Sequence, residues 1–243
     1  MACVITVSGS QPRSGKTTVA VNLAASLVLE GHSCMLIDLG AGASASRVLG
    51  VSLRSYLFSA GAVLEGKASL RSVRLPTASG IDLVAGYQDT ALPADAFSQA
   101  LPLLREQLGA LGTDYRFAVL DCSANIGPVE SLALTLAEQV VIVYCPGQAD
   151  GRNRPTLPRL QYAYVTGAVA AVANKVLPDW SLSELDGQGR GSVPSRPLGS
   201  VRYAPELPEM YWRGLPPVQT RPETAFAQDI QGITRSLLEV HPV

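Results

Sequence analysis

The stretch Gly9 to Thr18, GSQPRSGKTT, constrains this chain more than any other. It follows a short apolar run (Val4, Ile5, Thr6, Val7) and leads into a helical pattern with Val19, Leu23 and Leu27 on one face. Strand, glycine-bearing loop and helix in that order put the loop at a helix N-terminus, where free N–H groups and the positive dipole end favour an anion. In the phosphate-binding loop motif a lysine reaches the terminal phosphates and the following hydroxyl binds Mg²⁺. Gly15, Lys16 and Thr17 fill those places, but the first glycine, which the strict spacing would put at position 10, is Gly9, with Ser10 after it. An ordinary strand-to-helix turn with a solvated lysine is the plain alternative.

Around this loop, short apolar runs alternate with helical patterns. Strands are expected at Val4–Ser8, Cys34–Asp38, Asp82–Ala85, Phe117–Asp121, Val140–Cys145 and Ala168–Asn174, and helices near 16–31, 92–111, 128–137, 155–163 and 223–239. The last helix carries Phe226, Ile230, Ile233, Leu237 and Leu238 as one apolar stripe. This alternation predicts an α/β fold: a doubly wound, mostly parallel sheet with helices on both faces. With 243 residues, 47% of them hydrophobic and 16% charged, the chain suits one domain spanning 1–243 with a sheet buried on both sides. Residues 177–200, rich in Gly, Ser and Pro, read as a long surface loop.

The remaining composition narrows the function. A net charge of −1 gives no global field for nucleic acid or an anionic membrane. The cysteines Cys3, Cys34, Cys122 and Cys145 lack C-x-x-C spacing and sit in or beside apolar runs, so they read as buried free thiols. There is no basic leader and no bilayer-length apolar run, which makes the cytoplasm the expected location.

In an open parallel sheet ligands bind beyond the carboxyl ends of the strands. Two strands end there in a carboxylate, MLID at Asp38 and FAVLD at Asp121. If both flank the loop strand, their carboxylates reach an Mg²⁺ held by Thr17, directly or through water. A helix cap or a solvated strand end is the bland reading of each.

With these pieces together the chain resembles the ParA/MinD superfamily of deviant-Walker P-loop ATPases over nearly its whole length, and its loop is similar to that of the bacterial tyrosine-kinase ATPase domain. The segments that carry the resemblance are ITVSGSQPRSGKTTVAVNLA, CMLIDLGAGASASRVLG, IDLVAG, YRFAVLDCSANIG, VVIVYCPGQ and AAVANKV. It implies ATP or ADP with Mg²⁺ as cofactors, bound along Gln11, Pro12, Arg13, Ser14, Gly15, Lys16, Thr17 and Thr18. It further implies Lys16, Asp38 and Asp121 as catalytic residues, Thr17, Asp38 and Asp121 around the metal, and Asn174 as an adenine contact. The stretch Gly199–Leu207, with Arg202, resembles the segment that closes over the base.

Departures from the family pattern carry as much weight. The signature lysine, five residues before the loop lysine, is Gln11, and the pair that is usually Gly-Gly is Pro12-Arg13. Arg13 is chemically suited to bidentate phosphate contact, with an arginine turned to solvent as the alternative. The second acid of the first switch is Gly40. Electrostatic stabilisation of the transferring phosphoryl group is the main catalytic lever, so slow hydrolysis is expected with nucleotide binding better preserved.

The implied function is an ATP-binding, dimerising switch that positions or regulates a cellular cargo through a protein partner or adaptor, with weak ATPase activity. The alternative is a non-hydrolysing scaffold acting through partner contacts, for which Met210, Tyr211, Trp212 and Arg213 form a suitable segment. No tyrosine follows Tyr211, against kinase activity, and one Lys or Arg, Arg235, lies among the last ten residues, against a basic membrane-targeting helix. DNA binding stays open through the local clusters Arg152, Arg154, Arg159 and Arg202, Arg213, Arg221, for which a solvated face is the plain alternative.

Overall fold

The computed structural model describes residues 2–40, 42–52, 56–86, 96–122, 127–146, 163–177, 195–210 and 214–241. In chain order the elements are β1 (Cys3–Ser8), α1 (Lys16–Leu29), β2 (Cys34–Asp38), α2 (Ser44–Val48), a 3₁₀ turn (Tyr56–Phe58), α3 (Ala60–Leu64), α4 (Leu70–Val73), β3 (Arg74–Pro76), β4 (Asp82–Val84), α5 (Ala96–Leu111), β5 (Phe117–Asp121), α6 (Pro128–Leu136), β6 (Gln139–Tyr144), β7 (Ala168–Val176), β8 (Arg196–Arg202), α7 (Leu207–Met210), α8 (Pro217–Thr220) and α9 (Ala225–Val240).

The strands form one sheet in the order β3-β4-β2-β5-β1-β6-β7-β8, parallel throughout except for β3 against β4. Alternation along each strand sends side chains to both faces. Ile5, Val7, Leu36, Phe117, Val119, Val141 and Val172 face one apolar layer with Leu23 and Leu27 of α1 and Phe226, Ile230 and Ile233 of α9. Val4, Met35, Ile37, Ala118 and Leu120 face the other, with Leu104 and Leu108 of α5 and Leu132 of α6. This is the doubly wound architecture expected from the alternating pattern.

Helix α1 starts directly behind the loop. It ends on Gly31, at φ +87, where Gly31 N–H donates to Val28 O and His32 N–H to Leu27 O, both at 3.0 Å. That left-handed stop is a Schellman motif, which satisfies two of the last carbonyls.

Two expectations need correction. The strand ending in Asp38 does not flank the loop strand, because β5 pairs with β1 on one side and β2 on the other, which puts Asp38 one strand further out. The stretch 177–200 is not all loop, since its last residues belong to β8. Its Pro197 withholds a backbone donor, a feature suited to an edge strand. A side chain at Gly199, at φ +157, would stand 2.8 Å from Cγ1 of Ile233. These residues disguise the strand. The helix expected over 155–163 lies, but for its last residue, outside the described residues, as do Arg152, Arg154 and Arg159, and Tyr211, Trp212 and Arg213. Among the described residues, no helix is long and apolar enough to cross a membrane.

Candidate functional site

At the carboxyl edge of the sheet, the chain leaves β1 at Gly9, whose φ is +152. A Cβ there would stand 2.4 Å from the Val143 carbonyl on β6, so the close passage of the loop over β6 requires glycine at this position. The loop then enters α1 through Gly15, at φ +89, which leaves the first amides of the helix without intrahelical partners. Lys16 is buried and its ammonium folds back along the loop, donating to Gln11 O at 2.8 Å. Burial holds its pKa below the usual lysine value, against the pull of the Asp121 carboxylate. Ser14 is fully buried, whereas Pro12 and Arg13 are exposed.

Gln11 does not extend outward. Its side-chain oxygen accepts the Cys145 N–H at 2.7 Å, just beyond the end of β6, and the residue is buried. Asn174, near the end of β7, is likewise buried and donates its amide to Ser14 O at 2.7 Å. The neighbouring Lys175, which sequence reasoning missed, donates its ammonium to Arg13 O at 2.7 Å. Arg202 is drawn elsewhere: its guanidinium and its backbone N–H all bind the Asp229 carboxylate on α9, at 2.8–2.9 Å.

The two strand-end acids are Cα partners on adjacent strands and are both buried, but they differ in their partners. Asp38 accepts from Ser46 N–H at 2.8 Å, Ser46 hydroxyl at 2.7 Å and Gly40 N–H at 3.1 Å. The Ser46 oxygen in turn accepts Gly86 N–H at 2.9 Å, so Asp38 ties β2, α2 and the end of β4 together. Burial raises its carboxyl pKa despite these donors. Asp121 is different: Oδ1 is buried with no partner, and its carboxyl is pushed up to about 8 by burial and by the negative charge of Asp38. The Thr17 hydroxyl bond and the Lys16 charge only partly offset this.

A buried orphan carboxylate oxygen beside a hydroxyl is the kind of donor set a hydrated Mg²⁺ uses, and a cation there would relieve the repulsion between the two acids. Thr17 and Asp121 therefore fit the metal, while the Asp38 oxygens are engaged by α2 and the turn after β2. Among the described residues, no group of three or more His, Cys, Asp and Glu could hold a metal ion, and all four cysteines are free and buried.

Comparison with known proteins agrees with this architecture. The family model described as an AAA domain (AAA_31) matches residues 2–150. An uncharacterised ATP-binding protein of Methanocaldococcus jannaschii is 24% identical over 98% of this chain and 88% of its own length. The chain belongs to the ParA/MinD superfamily of P-loop ATPases. This superfamily member is also 29% identical to the antiactivator FleN of Pseudomonas aeruginosa, over 58% of the chain and half of the FleN length. The septum site-determining protein MinD of Pyrococcus horikoshii, solved with Mg-ADP, shares the fold at a TM-score of 0.73 and 22% identity, covering 100% of this chain and 98% of that one. In this ParA/MinD chain the loop, Lys16, Thr17, Asp121 and Asn174 converge at the end of β1, whereas Arg202 is held against α9.

Proposed function

We propose that this ParA/MinD-family ATPase is an ATP-binding switch with slow turnover: Mg²⁺ and ATP favour a homodimer that engages a protein partner or cargo adaptor. Lys16, the loop amides and Thr17 hold the phosphates in the ground state, with Asp121 on the metal side and Asn174 beside the base. The observation that carries the slow-turnover reading is the Gln11 side chain docked on Cys145 N–H. A neutral amide engaged with β6 contributes no cation to a transferring phosphoryl group, and such a cation can be worth about 10³ to 10⁵ in rate. With Gly40 where the second acid would stand, the position of the attacking water is also unsupported.

The test is the solution mass and steady-state ATP turnover with Mg²⁺ and ATP, with ADP and without nucleotide, against Lys16→Ala. A dimer seen only with ATP, lost in Lys16→Ala, and turnover below about 1 s⁻¹ are expected. Brisk hydrolysis by the isolated protein would refute slow turnover. A mass indifferent to nucleotide would favour the non-hydrolysing scaffold, in which partner binding alone carries the function.

A further inference from the structure

Successive residues of a strand point to opposite faces of the sheet, so two neighbours do not normally reach the same loop. At the end of β7 they do. Asn174 donates to the Ser14 carbonyl and Lys175 to the Arg13 carbonyl, each at 2.7 Å, so consecutive strand residues hold consecutive carbonyls of the phosphate-binding loop. The backbone makes this possible through a bulge: Asn174 pairs with Val201 and Val176 with Arg202, which leaves Lys175 as an extra residue in the register. Bulges re-aim side chains in this way, often beside active sites.

Both ends of the Lys175 contact are strained. Lys175 lies at φ +59 and Arg13 at φ +58, left-handed conformations that are costly for residues with a side chain. Such strain persists only where surrounding contacts over-determine it. The two strained residues face each other across the Lys175–Arg13 bond, while Asn174 anchors the next carbonyl of the same loop.

We propose that Lys175 is a positioning residue of this loop: it holds Arg13 in the left-handed conformer and presets the loop for the polyphosphate of a nucleotide. It thereby brings to the loop, from β7, an ammonium group in a chain whose position 11 carries none. The inference rests on the reading of the loop as a nucleotide site. It differs from a direct phosphate contact, since the ammonium is bonded to a backbone carbonyl.

The experiment is equilibrium titration of a fluorescent ATP analogue into the full chain and into Lys175→Met, Lys175→Arg, Arg13→Gly, the Arg13→Gly/Lys175→Met pair and Lys16→Ala, with thermal melts to check folding. Loss of one charge-assisted hydrogen bond sets the scale, so Lys175→Met should weaken binding about tenfold and Lys175→Arg should recover it to within about threefold. Arg13→Gly removes the left-handed strain, so in that background Lys175→Met should cost about threefold or less. Unchanged affinity in Lys175→Met, failure of arginine to rescue, or the same loss in both backgrounds would each overturn the inference. If Lys175→Met does not fold, Lys175→Gly, which has no side-chain donor and is unstrained at φ +59, takes its place in the same cycle with the same criteria. Affinity lost in Lys16→Ala but intact in Lys175→Met would sink this inference alone; affinity intact in Lys16→Ala would sink the nucleotide-site reading beneath it.

Discussion

Gly15→Ala tests whether the loop and β7 are as tightly fitted as the structure shows. Gly15 is at φ +89, so an alanine there pays the left-handed penalty of about 1–2 kcal/mol. Its Cβ would also stand 2.1 Å from the Asn174 side-chain nitrogen, far inside contact distance, so the amide must move away. That movement strips the buried Ser14 carbonyl of its donor, at about 1–3 kcal/mol. The expected loss is therefore about 2–5 kcal/mol, a large share of the roughly 5–15 kcal/mol that stabilises a typical domain. Asn174→Ala alone should cost only the carbonyl term, about 1–3 kcal/mol. In the double variant the space is already open and the carbonyl already bare, so its loss should equal that of Gly15→Ala alone. Urea denaturation of the four proteins, with unchanged m, measures the cycle. Losses that add to within about 0.5 kcal/mol would refute the reasoning, because additivity is what independent sites give.

Three further outcomes are expected. The Asp121 carboxyl sits at about 8 in the folded chain, above its ordinary 3.8, so the folded state keeps a proton that the unfolded state has released. Stability is thus fully present below about pH 4 and is lost as pH rises toward 8. Without metal or nucleotide, Asp121→Asn should melt higher than the parent at pH 8 and alike at pH 4; each pKa unit relieved is about 1.4 kcal/mol, or about 3–6 °C at this chain length. An equal difference at both pH values would contradict the assignment. Ser46→Ala removes one donor to Asp38 and leaves Gly86 N–H bare, and chemical denaturation should report a loss of about 1–3 kcal/mol; a loss under about 0.5 kcal/mol would dissolve the network. Gln11→Lys replaces an acceptor with a group that has none, so the Cys145 amide loses its partner and stability should drop by about 1–3 kcal/mol, while Gln11→Glu, which keeps an acceptor, should lose less.

Much of the site was legible because local signals agree with the global fold. The apolar run, glycine loop and GKT core place β1, the loop and α1, and two strands that end in Asp announce the carboxyl edge. What escaped was decided by contacts distant in sequence. Gly9 is plain in the sequence, but the reason that a side chain cannot stand there, the Val143 carbonyl on β6, lies far along the chain. Strand ends can be read one by one, but the order that inserts β5 between β1 and β2 is a tertiary fact. β8 hides behind Pro197 and Gly199, which read as loop residues, and the three-residue β3 is too short for any pattern to register. Lys175 was passed over because strand alternation aims it away from Asn174, and only the bulge against β8 reverses that.

The same long-range contacts explain how this chain departs from its family pattern without losing the loop. A lysine at position 11 would carry a charge outward; glutamine instead accepts the Cys145 N–H and becomes a strut between the loop and β6. Arg13 replaces a glycine where the backbone is left-handed, and its carbonyl is held by Lys175 from β7. Asp38 answers to Ser46 and Gly40 in the switch segment, leaving the orphan oxygen of Asp121 as the carboxylate best placed for a cation. At positions 11 and 38 a group that would act on phosphate or water is either absent or engaged by the scaffold, while Lys16 and Thr17 keep their places in the loop. On the proposed reading such a site should lose rate before affinity, because transition-state charge stabilisation depends on the missing cation and ground-state binding depends on the loop.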